Sequence, residues 1–153
     1  CDRTGECLGP VDSWGPDKAL VVDGLSGLSK MAVALAVGAK PILAQAEWGI
    51  AQRNLMNTVS KLVNDLKCTF VLTAHVSRRY DEVKQASILS LDSIGKAINP
   101  DLPKEFDEVL MTRREGSKFF WSTDEDYADL KTRRLPFSSK IAPSFKLIFD
   151  GKE

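Results

Sequence analysis

The sequence predicts an α/β fold, a mixed and mostly parallel sheet flanked by helices and finished by an antiparallel meander. Three observations carry the prediction. Ala19-Leu20-Val21-Val22-Asp23 and Phe70-Val71-Leu72-Thr73-Ala74-His75 are short, nearly uninterrupted apolar runs that each end in a polar group, as strands buried on both faces of a parallel sheet do. Between them lies a long stretch of helical periodicity, the crossover that two parallel strands need. Beyond them the pattern shortens to brief runs around Glu115-Gly116-Ser117, a hairpin signal.

In chain order, residues 1–18 are rich in Gly, Pro and Asp, with Gly9-Pro10 and Gly15-Pro16 as breakers, and read as an irregular lead-in. After the first strand, Leu28, Met31, Ala32 and Leu35 fall at helical spacing until Gly38 and Lys40-Pro41 stop the helix. A stronger helix spans about 45–66: Trp48, Ala51, Leu55, Val59, Leu62 and Leu66 step by three and four, with Gln52, Arg53, Asn57, Lys61 and Asp65 on other faces. The second strand follows. From 76 to 95 a charged stretch without a continuous apolar face predicts a long loop, and a loop of that length in a compact domain is usually functional or mobile. A short helix is expected over 91–98, a hairpin over 108–114 and 118–123, and further strands at about 127–133 and 145–149. One domain covers 1–153.

Composition narrows the classes. The chain has 153 residues, 43% hydrophobic and 27% charged, which suits a globular protein with a proper core. Lys plus Arg equal Asp plus Glu at 21 each, so any polyanion site must be local. Cys1, Cys7 and Cys68 form an odd set without a CxxC pair, and no second pair or histidine cluster completes a zinc site. That usage fits a reducing compartment and a cytoplasmic protein. No stretch approaches the roughly 18 apolar residues of a membrane span. The first residue is not Met, and the sequence reads as the remainder of a longer polypeptide.

The strand ends carry the chemistry. In a parallel sheet the carboxyl ends of the strands form the ligand crevice, so Asp23 and His75, the chain's single histidine, are expected to point into one site. A carboxylate there can hold the magnesium of a nucleotide through water, since that ion keeps several of its waters. Thr73 can add a hydroxyl to the same edge or bond its neighbours within the sheet.

Val21-Val22-Asp23-Gly24-Leu25 resembles a Walker B strand, and Leu72-Thr73-Ala74-His75-Val76 is similar to the RecA-fold strand whose polar end senses the terminal phosphate. With Gln45-Ala46-Glu47-Trp48-Gly49, Phe106-Asp107-Glu108-Val109, the run Arg114 to Thr123 and Asp129 to Pro136, the chain from about Gly9 to Phe145 resembles phage RecA-like ATPases, relatives of strand-exchange recombinases within the P-loop superfamily. The resemblance implies a RecA-like core and ATP with Mg2+ bound at strand ends and subunit interfaces. It implies action on single-stranded DNA in homologous recombination or annealing, as a ring or filament of copies working with an annealing or single-strand-binding protein. Asp23 would position the metal and His75 would sense the γ-phosphate. Lys131, Arg133 and Arg134, with Arg114 and Lys118 behind them, would reach a neighbouring subunit's nucleotide as arginine fingers do. The loop over 76–95 would be the DNA element, Arg78, Arg79 and Lys84 on phosphates and Tyr80 stacking on a base; Lys40, in the other loop, is a lesser candidate.

Other readings of the same residues stay open. Asp81 and Glu82 offset the loop's cations, and a basic edge strand around Lys131 would also resist aggregation. Trp121 and Trp48 read as core or subunit-contact residues, while Trp14 can cover a base or plug the sheet's end. One departure from the family is plain: no GxxxxGK[ST] loop occurs in the sequence, and Gly24 to Lys30 has the wrong order and spacing. Only 18 residues precede Ala19, too few for the strand and loop that lie upstream in the family. A non-catalytic regulatory or scaffold module, or another P-loop motor such as a helicase or packaging ATPase, are the alternatives.

Overall fold

A computed structural model describes Gly5 and residues 7–38, 44–83, 85–95 and 98–149. The chain divides into two compact units, Cys1–His75 with Leu91–Asn99, and Val76–Ser90 with Pro100–Glu153.

The first unit is a β-α-α-β motif. Its lead-in holds a single 3₁₀ turn, Val11–Ser13, beside which the Trp14 indole donates to the Leu8 carbonyl at 2.9 Å. β1 (Ala19–Asp23) is followed by α1 (Leu25–Val37) and α2 (Gln45–Asp65), and β2 (Thr69–Thr73) returns parallel to β1. The register runs from Ala19↔Thr69 to Asp23↔Thr73, so the two strands end level. Gly38 ends α1 at φ 59°, a backbone region that favours glycine, with its amide on the Ala34 carbonyl at 2.9 Å. At the start of α2 the buried Glu47 carboxylate, at the third helical position, reaches back to accept the Ala44 amide at 2.6 Å.

Ala51, Leu55 and Val59 form the buried stripe of α2, and Leu25 and Ala32 that of α1, which packs against it. Leu62 and Leu66 are half-buried and Trp48 is exposed, so Trp48 is not a core residue of this unit. On α1 the buried positions are Leu25, Ser29 and Ala32, whereas Met31 and Leu35 face outward.

The second unit is built from two strand pairs. β3 (Val76–Asp81) pairs with β4 (Ala86–Leu91) across a connection too short for anything but an antiparallel hairpin. The Asp81 carboxylate accepts the Val83 amide at 3.0 Å, a side-chain turn at the end of β3. A 3₁₀ turn, Leu102–Glu105, buries Leu102. β5 (Met111–Glu115) and β6 (Lys118–Ser122) form the second hairpin, in register from Met111↔Ser122 to Glu115↔Lys118. Trp121 packs with Leu135 and Ile141, and its ring meets Phe145 edge-on at 5.3 Å. A single helical turn, α3 (Lys146–Phe149), follows.

Several expectations are corrected. The strands form three separate pairs, one parallel and two antiparallel, and among the described residues no third strand joins β1 or β2; this is not the extended, mostly parallel sheet of a RecA-like core. With one neighbour each, β1 and β2 are not buried on both faces: Leu20 and Val22 are half-buried while Val21 is 58% exposed. Within the stretch expected to be a loop, Val76–Asp81 and Ala86–Leu91 are paired strands, and the helix expected over 91–98 is absent from its described residues, Leu91 being the end of β4. Residues 127–133 make only single bridges, Leu89↔Ala128 and Val109↔Lys131, in a stretch where Tyr127 takes φ 58° and cannot continue a ladder. Residues 146–149 are helical, so the C-terminal meander reduces to one hairpin with isolated bridges.

Candidate functional sites: a strand-end edge and two basic hairpins

The parallel register places Asp23 directly opposite Thr73, and the Thr73 hydroxyl donates to Asp23 Oδ1. Both residues are exposed, and the second carboxylate oxygen has no hydrogen-bond partner among the described residues. The turn into α1 is tight. The Asp23-Gly24 peptide is cis, and a Cβ on Gly24 would stand 3.0 Å from Thr73 Oγ1 and 3.2 Å from the Thr73 carbonyl. Gly24 also caps α1 without any side-chain acceptor, and its carbonyl accepts the Gly27 and Leu28 amides at 3.0 and 3.4 Å.

His75 lies two residues past the end of β2, at the same edge of the unit. Its carbonyl accepts the Asp92 amide at 2.8 Å, which fixes the backbone, while its imidazole is exposed and makes no hydrogen bond among the described residues. Asp23 and His75 therefore share an edge, but the partner that touches Asp23 is Thr73.

One carboxylate steadied by a hydroxyl suits a magnesium ion that keeps most of its waters. Among the described residues there is no group of three His, Cys, Asp or Glu to hold a metal by protein ligands alone. The donors thus fit a nucleotide's hydrated magnesium, whereas no phosphate-cradling loop with its lysine is present in the sequence.

In the second unit, β3 alternates. Val76, Arg78 and Tyr80 share one face by the two-residue period of a strand, and Tyr80 is 63% exposed. Arg79 takes the other face and is half-buried. Neither arginine forms an ion pair or hydrogen bond among the described residues. Lys84 and Lys40 lie outside the described residues.

The cations expected to act across a subunit boundary are tied to their own unit. Lys131 Nζ donates to the Lys104 carbonyl at 3.2 Å, Arg133 pairs with Asp107 at 2.9 Å, and Arg134 Nη1 donates to the Ile148 carbonyl at 2.7 Å. Glu108 Oε1 accepts the amides of Arg133 and Arg134 at 2.9 and 2.8 Å, so one carboxylate holds the turn that carries both. Lys104 itself has its ammonium pKa raised, first by its hydrogen bond to Asp101 and then by the charge of that carboxylate. Sequence reasoning missed Glu108 as the organiser of this turn, because a lone glutamate has no spacing signal.

On the β5–β6 hairpin, Arg113 pairs with Glu125 and Lys140 with Glu115 at 2.7 Å. Arg114 and Lys118 have no ion-pair partner among the described residues. Arg114 Cζ lies 5.8 Å from the centroid of Phe119, its cross-strand neighbour.

No family model, no curated protein and no solved structure matches this chain.

Proposed function

We propose that this protein binds ATP with magnesium and acts on single-stranded DNA in phage-type homologous recombination or annealing. The observation that carries the reading is the outward face of β3, where an uncompensated Arg78 stands beside an exposed Tyr80. Unpaired strands are bound by cations that follow the backbone and by aromatic rings on which bases stack, with little regard for sequence. The exposed Asp23, steadied by Thr73, supports a place for the nucleotide's magnesium, and His75 at the same edge supports a link between nucleotide and the strand that starts at Val76. The chemistry the nucleotide would supply is a phosphate charge that differs between ATP and its product.

Salt titrations on an unstructured oligonucleotide test this. Tyr80→Ala should cost on the order of 1–3 kcal/mol with little change in salt slope. Arg78→Ala should weaken binding alike for all sequences and lower the slope by roughly 0.7. Binding that neither substitution alters would remove β3 as the DNA element.

The missing GxxxxGK[ST] loop favours a second reading, a non-catalytic regulatory or scaffold module. Failure of the chain to bind a fluorescent ATP analogue, with or without Mg2+, would select it.

A further inference from the structure

We propose that the β5–β6 hairpin is a second contact for single-stranded DNA, with Phe119 as its stacking platform, Arg114 on the same face as a phosphate-binding cation, and Lys118, on the opposite face of β6, as a second cation at the tip. The inference rests on the reading of the protein as a single-strand binder and adds a site to it.

The hairpin is an arm anchored at one end. Trp121 in β6 is buried against Leu135 and Ile141, and the Trp121 amide and carbonyl both bond Ile141, at 2.9 and 2.8 Å. From Thr112 to Phe119 every residue is exposed. Gly116, at φ 61°, closes a two-residue turn of the kind that matches strand twist, so the tip is held in shape without packing.

Charge at the tip is unevenly spent. The Arg113 and Lys140 charges are neutralised by Glu125 and Glu115, while those of Arg114 and Lys118 are not neutralised by any described residue. Arg114 Nε donates to the Gly116 carbonyl at 2.8 Å, which holds the guanidinium over the Phe119 ring. Phe119 is nevertheless 56% exposed. A ring left in water costs burial energy, and flanking unpaired cations do not suit the centre of a protein interface, from which charge is depleted. An aromatic face with one cation beside it that has no ion-pair partner, and a second such cation on the reverse of the tip, does suit a base and its phosphates.

Ultraviolet cross-linking of the full chain to oligo(dT), with peptide mapping, and affinities of four variants test the inference. An adduct on Phe119 is expected. Phe119→Ala should weaken binding roughly 5- to 100-fold, Phe119→Trp should bind like the wild type, and Arg114→Gln and Lys118→Gln should each lower the salt slope by roughly 0.7. Wild-type affinity in Phe119→Ala, with adducts confined to the Tyr80 region, would overturn this site and leave the function standing. A wild-type chain that binds no oligonucleotide overturns the DNA reading and this site with it. Should Phe119→Ala fail to fold, the adduct position on the wild-type chain and the two Gln variants still decide.

Discussion

Thr73 donates its hydroxyl hydrogen bond to Asp23 at the level ends of two parallel strands, joining side chains 50 residues apart in the sequence. The pair fixes one carboxylate oxygen and leaves the other free, which makes the strand end directional. Asp23→Asn should abolish the magnesium-dependent part of the affinity for a fluorescent ATP analogue. Thr73→Val should reduce it about fivefold, the worth of one exposed hydrogen bond of about 1 kcal/mol. Equal magnesium dependence in wild type and Asp23→Asn would remove Asp23 as the metal ligand.

The chain of 153 residues should hydrolyse ATP no faster than a small multiple of the buffer background. Phosphoryl transfer depends on clamping and neutralising the phosphates, and the loop that does so is missing from the sequence. Phosphate release under steady-state conditions measures it. Robust magnesium-dependent turnover, lost in Asp23→Asn, would mean that another loop clamps the phosphates.

His75→Ala should leave nucleotide affinity nearly intact and shrink the ratio of DNA affinities measured with and without nucleotide. The backbone bond from Asp92 to the His75 carbonyl survives the substitution, so the strand end keeps its position and only the exposed imidazole is lost. A switch acts through contacts that differ between its two states. A ratio unchanged by the substitution returns His75 to a merely exposed polar residue.

Gly24→Ala should destabilise the first unit by about 1–3 kcal/mol, because the new methyl would meet Thr73 Oγ1 and the Thr73 carbonyl, and a carbonyl in a strand cannot swing aside. Its φ of −155° is open to any residue, so the cost is space rather than backbone strain. Denaturant unfolding reads the change, and wild-type stability would show that the turn has room to give.

Glu108→Ala should cost about 1.5–3 kcal/mol, since two amides of the Arg133–Arg134 turn lose their shared acceptor, while Glu108→Gln, which keeps one carbonyl oxygen, should cost less. Unfolding curves of both variants decide. If alanine and glutamine cost the same, the two bonds are not what holds the turn.

The apolar runs at 19–23 and 70–74, and the spacing of Ala51, Leu55 and Val59 between them, were enough to foresee a parallel pair joined by helices, because burial of one helix face and pairing of two apolar strands both leave periodic traces. The Gly116-Ser117 turn likewise announced the β5–β6 hairpin. Asp23 as a strand-end carboxylate was readable in the same way.

What only the tertiary structure decided were the relations that have no period. The run Phe145 to Phe149 is too short for periodicity to separate helix from strand, and the fold made it helical against Trp121. In β3 the alternation Val76, Arg78, Tyr80 was present in the sequence, but without an apolar face there was nothing to mark it as a strand until β4 paired with it. Val21 looked buried because it is valine, yet burial is a property of what covers a residue, and one strand neighbour leaves it exposed. The Thr73 partner of Asp23, the grip of Glu108 on two amides, and the division of the hairpin cations into paired and unpaired are contacts between distant residues, which register and packing alone bring together.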